Sequence, residues 1–165
     1  MNAEHLVHEV IARYRLKYQP VRLSLARIKN AKRVEEIISG IDSKIKSRAS
    51  DVQLLSVDNN QVSNTLTYKA TTGNGEYTVK IRAVPADGSE KKVWEAKDVY
   101  LSCSCRHWRY GGCEHHAKKG DYLYAEDHPR GTLGKPNIRD PEGNNYVCKH
   151  VYRALQEAKK VYIDY

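Results

Sequence analysis

Two passages decide the reading of this chain, LSCSCRHWRY at 101–110 and NNYVCKHVYRALQEA at 144–158. In the first, Val99, Leu101, Cys103 and Cys105 fall on every second position, and side chains at i and i+2 of a strand project to one face. The second opens on Cys148 and His150 and continues with Val151, Leu155, Ala158 and Tyr162 at the spacing of one helix face, so a helix is expected from Val147 to about Tyr162. A thiol pair on a strand would then meet a thiol and an imidazole in the first turn of a helix. Three sulfurs and one nitrogen make the tetrahedral donor set that zinc takes. A rival set replaces Cys148 and His150 by Cys113 and His115, which repeat the Cys-x-His order after a shorter spacer. In a third reading Cys103 and Cys105 are small buried residues that hold nothing.

Upstream of the cysteines the apolar period is two. Val52 to Val57 reads as a strand, Asp58-Asn59-Asn60 as a turn and Val62 to Ala70 as the next strand. Gly73-Asn74-Gly75 turns the chain again. Tyr77, Val79, Ile81 and Ala83 mark the buried side of a third strand, and a fourth runs from Lys92 to Cys105. Short connections between successive strands imply an antiparallel meander. Residues 106–147 form an insertion rich in Gly, Pro and His, and a structureless loop of that length is uncommon unless it is functional or disordered.

Before residue 51 the period is helical. Leu6, Val7, Val10, Ile11, Tyr14 and Tyr18 share one face of a helix over 3–18 that ends before Pro20. A second helix is expected from Ser24 to about Lys46, with Leu25, Ile28, Ala31, Val34, Ile38, Ile41 and Ile45 as its stripe and Gly40 as its weak point. The expected fold class is therefore α+β: an N-terminal helical pair in 1–50, then a sheet part in 51–165 made of the meander, a strand–loop–helix zinc clip at 103–150 and a C-terminal helix.

The formal net charge of +8 is uneven. Residues 1–50 hold eleven Lys and Arg against five Asp and Glu, whereas residues 51–100 hold six against seven. A basic helical face can meet nucleic acid or an acidic partner, or be simply a solvated surface. Twelve Tyr and two Trp with no Phe give aromatics that tolerate half-wet contacts, as interfaces use them. No apolar run reaches membrane-spanning length, and the first residues lack the pattern of a signal peptide. The expectation is cytoplasmic, reducing synthesis, where four cysteines favour metal ligation over disulfides.

Cys103-Ser104-Cys105, a loop, and Cys148-Lys149-His150 leading into Val151-Tyr152-Arg153-Ala154-Leu155 resemble the SWIM-type zinc finger, with Cys-x-Cys on a hairpin and Cys-x-His at a helix start. The spacer between the halves is longer than is usual for that family. The resemblance implies zinc on Cys103, Cys105, Cys148 and His150, and a role in binding DNA or protein. The 101–155 stretch is also similar to uncharacterised proteins of tailed phages, which implies incorporation into a phage particle.

Enzymatic apparatus is not visible. Asp127-His128, Asn144-Asn145 and Cys148-Lys149-His150 resemble the His-Asn-His metal nucleases in part, but Pro129 and the lack of a second Cys-x-x-Cys pair argue against that chemistry. No Gly-x-Ser-x-Gly, phosphate-binding Gly-Lys-Ser/Thr or GxGxxG occurs. The expectation is a non-enzymatic, zinc-stapled subunit of a larger assembly such as a virion, contacting other protein subunits and taking no small-molecule substrate. The alternative is a nucleic-acid-binding protein. For either partner the candidate contacts are Arg106, Trp108, Arg109, Tyr110, Lys118 and Lys119 in the insertion and Arg27, Lys32 and Arg33 on the basic helix.

Overall fold

The structure is a computed structural model that describes residues 34–73, 75–84, 91–93, 96, 98–124, 133–159 and 161–163. The helix expected over 3–18, the first part of the second helix, the nuclease-like Asp127-His128 and the cations Arg27, Lys32 and Arg33 lie outside these residues. Among the described residues no helix is long and apolar enough to cross a membrane.

The second helix does not run unbroken to Lys46. Val34–Ser39 (α1) and Ser43–Arg48 (α2) are separate. Between them Asp42 turns extended, at φ −57° and ψ 140°, and its carboxylate accepts the Lys44 N–H at 2.6 Å. An aspartate that caps a new first turn, two residues after a glycine, offers the backbone a better solution than continuing. Val34, Ile37 and Ile41 nonetheless point into the same core as the sheet.

Four strands, Gln53–Asn60 (β1), Thr65–Thr72 (β2), Gly75–Val84 (β3) and Asp98–Cys103 (β5), form an antiparallel sheet in the order β1-β2-β3-β5. The turn expected at Asp58 to Asn60 falls later, at 61–64, because β1 stays paired through Asn60↔Thr65. Asn60 Oδ1 accepts the Ser63 N–H at 3.1 Å, and Asn64 takes the left-handed φ of 50° that asparagine tolerates. The expected fourth strand is two pieces. Lys91–Lys92 (β4) leaves the main sheet to pair with Tyr162–Ile163 (β6), so Tyr162 belongs to a strand rather than to a helix face.

One face of the sheet is the core. Register places Leu66, Ile81 and Leu101 in one row and Tyr68, Val79 and Cys103 in the next. All six are buried. Over them lies Lys149–Ala158 (α5), which turns Val151, Ala154, Leu155 and Ala158 inward and closes a ladder of Arg153 to Glu157 at 2.6 Å on its outer side. Cys103 thus faces α5 for the same reason that Val99 and Leu101 do.

The 106–147 segment is not a structureless loop. Arg106–Tyr110 (α3) and Cys113–Lys119 (α4) are joined by Gly111 and Gly112, and Leu123 bridges Leu101 on the open side of β5. Gly112 has φ +104°, and a Cβ there would lie 2.6 Å from Asp140 Oδ2. Glycine is required both by the angle and by the carboxylate.

Candidate metal centre

Cys103, Cys105, Cys148 and His150 bring their donor atoms within 4.8 Å of one another, and all four residues are buried. Such a cluster could hold a metal ion. Each donor arrives by a different local rule. Cys103 is the last residue of β5, fixed by its pairing with Val79. The chain then leaves β5 through Ser104, whose N–H donates to Thr78 O at 3.0 Å while its Oγ accepts the Thr78 N–H at 2.9 Å. Cys105 therefore does not reach the site by strand alternation, as its sequence position suggests. It is the N-cap of α3, at φ −75° and ψ 153°, and its Sγ accepts the Trp108 N–H at 3.3 Å. Cys148 is the N-cap of α5 but makes no capping bond; its side chain is fully buried in the cluster.

His150 sits in the first turn of α5 with its two nitrogens divided. Nδ1 lies 4.0 Å from Cys103 Sγ, and Nε2 lies 3.1 Å from Thr72 Oγ1 at the end of β2. Tyr77 of β3 covers the ring, with centroids 4.4 Å apart and a 32° tilt. With the proton on Nε2 donated to the Thr72 hydroxyl, Nδ1 keeps its lone pair for an ion, the usual second contact of a ligating histidine. Thr72 and Tyr77 carry no sequence signal of this role. Thr72→Val is expected to weaken metal binding about 10- to 100-fold. A chelator competition titration checks this, and an unchanged affinity would show that the hydroxyl does not orient the ring.

The thiols cannot all ionise without help. Hydrogen bonds from Cys103 and Cys148 pull the Cys105 thiol far below its ordinary value, against its burial and with further help from His150 and the Trp108 N–H. The same interaction with Cys105 pushes Cys103 up, and burial pushes Cys148 up. Three sulfurs so close, in a buried site, share one negative charge comfortably; a divalent cation is what lets all three become thiolates. The donor set fits a thiophilic, tetrahedral ion.

The rival pair is elsewhere. Cys113 opens α4 and is fully buried, which pushes its thiol up; His115 on the same helix packs edge-on against His116, 5.4 Å between centroids. Neither belongs to the cluster. Of the candidate contacts, Trp108 is only 3% exposed and packs in the core, so it is not available to a partner. Arg109 pairs with Glu114 at 3.8 Å and lies over the Tyr110 ring. Lys118 and Lys119 are exposed on α4, while Arg106 and Tyr110 are exposed on α3.

A second polar centre, unannounced by any motif, ties the insertion down. Asp140 is 3% exposed, and its Oδ2 meets His116 Nε2 at 2.7 Å. Its Oδ1 accepts the N–H groups of Asn144 at 2.8 Å and Asn145 at 3.2 Å. Asn145 Nδ2 in turn donates to Gly111 O at 2.8 Å. The return path to Cys148 is thereby fastened to the α3–α4 corner.

Compared with protein-family models, with curated proteins and with solved structures, the chain gives no match.

Proposed function

We propose that this protein is a non-enzymatic, zinc-stapled interaction protein that serves as a subunit of a larger assembly. The observation that carries the staple is the buried meeting of Cys103, Cys105, Cys148 and His150 where β5, α3 and α5 converge. Zinc is the ion that three sulfurs and one imidazole nitrogen suit best in a tetrahedral site. Four protein donors fill such a site and leave no position for a catalytic water, which favours a structural role. The Cys-x-Cys and Cys-x-His order across a strand end and a helix start is compatible with a SWIM-type finger. Elemental analysis of the purified chain is expected to find one zinc per molecule; a metal-free chain that gains no stability on adding zinc sinks the staple.

The assembly reading is supported by β1. Its outer edge pairs with no described strand, and Leu55 and Val57 are 53% and 52% exposed. A long edge strand with apolar side chains is a template for another chain. The virion setting rests on the sequence resemblance. Light scattering on the purified chain, and on chain recovered from its native source, is expected to report a particle larger than a monomer. Val57→Lys is expected to shift it toward the monomer. Monomers in both preparations would remove the assembly reading.

Nucleic acid is the second reading, and a groove beside the staple favours it.

A further inference from the structure

Two cavities meet beside the metal centre. The first, of about 910 Å³, is walled by α2, the start of β3, the starts of α3 and α5, and Arg139 and Asn145, with Cys105 and His150 among its lining. The second, of about 620 Å³, is formed by α3 and residues 136–139. Arg106 and Arg139 line both, so the two make one groove. Neither guanidinium has a carboxylate partner among the described residues.

Charge is distributed along this groove in a useful way. The first cavity adds Lys44, Arg48 and Lys149, which Asp42, Asp51 and Glu76 balance, so its surplus is the same two arginines. The second has two arginines and no acid at all. It also holds two apolar surfaces set out in water, the Tyr110 ring at 46% exposure and Ile138 at 94%. Unpaired guanidinium groups flanking one opening repel each other until an anion lies between them, and their planar forks match phosphate oxygens.

We propose that the groove binds single-stranded nucleic acid, with a phosphate held by Arg106 and Arg139 at the junction of the cavities and a base stacked on Tyr110. Cations that follow a backbone, combined with an exposed aromatic face, are the two elements of sequence-tolerant single-strand binding. An acidic peptide would use the cations but has no need of the Tyr110 platform. The reading leans on the metal staple in one respect: the staple positions α3 and α5, which carry Arg106 and Lys149.

The test is fluorescence anisotropy of a labelled oligothymidylate of about 16 nucleotides, titrated with the full chain across a salt series. Affinity is expected to fall with salt, and Arg106→Ala with Arg139→Ala to reduce the log–log slope by about 0.7, the share of one phosphate on a single strand. Tyr110→Ala is expected to cost about tenfold while keeping the slope. Zinc is measured in every sample, so a metal-replete chain that binds no oligonucleotide overturns the groove and spares the staple. Equal competition by polyglutamate at matched charge also overturns it, in favour of an acidic protein partner, as does a titration flat in salt.

Discussion

Cys148→Ser is expected to release the metal and to lower the thermal midpoint steeply, whereas Cys113→Ala is expected to retain the metal. The contrast separates the two Cys-x-His pairs, because Cys148 is in the four-donor cluster and Cys113, although equally buried, is not. Small fingers draw on the order of 10 kcal/mol from their zinc. Here the sheet and its helix face remain, so the share is smaller. A loss of about 4 kcal/mol corresponds to a fall of roughly 8–16 °C for a chain of this size. Elemental analysis and thermal unfolding, each with and without a chelator, provide the measurement. Full zinc retention by Cys148→Ser, with loss from Cys113→Ala, would reverse the ligand assignment.

The second large effect is expected away from the metal, at Asp140. Asp140→Ala leaves His116 and two backbone N–H groups without their acceptor in a part-buried setting, at a cost of about 1–3 kcal/mol. Denaturant unfolding checks it, and a change within error would mean that water replaces the carboxylate freely. The same carboxylate carries a pH signature. Burial pushes its pKa up, but hydrogen bonds from His116 and from the Asn144 and Asn145 N–H groups outweigh that and hold it below the ordinary aspartate value. A depressed folded-state pKa means stabilisation that is present above the unfolded-state value and lost as pH falls through the folded-state value. The stability difference between the unsubstituted chain and Asp140→Asn should accordingly be widest toward neutrality and narrow in that acid window. Any metal at the cysteine cluster would be lost to acid from both proteins alike, so the difference between them carries the test. A difference that does not vary with pH would assign the effect to packing.

What the sequence makes legible follows from which signals are periodic. The alternation through Val99, Leu101 and Cys103 places one sulfur on the core face, and the spacing of Val151, Leu155 and Ala158 places α5 over it. Alternation puts Cys105 in the right neighbourhood through the wrong geometry, since a strand exit and an N-cap can present a side chain where an i+2 strand residue would. Helices of five and seven residues, α3 and α4, are too short for a period to rise above their Gly-rich surroundings. Thr72, Tyr77 and Asp140 act through contacts with residues distant in sequence, or through a carboxylate that looks like any loop aspartate. The groove is hidden for the same reason: Arg48, Arg106, Arg139 and Lys149 come from four separate segments. Trp108 shows the converse, an aromatic among basic residues that reads as a contact and is core.

The spread of the donors along the chain also sets an order of events. Cys103 and His150 are 47 positions apart, and the Thr72 that steadies the imidazole is 78 away. Each local pair, Cys103 with Cys105 and Cys148 with His150, can hold an ion loosely in an open chain, but the two pairs meet only when distant segments pack. Three strands must already be zipped and the closing helix seated before four donors exist in one place, and contacts so distant in sequence are slow to form. If the cluster takes the proposed zinc, completing its four-donor shell is a late step, and the rate of tight zinc uptake is expected to report completion of the fold.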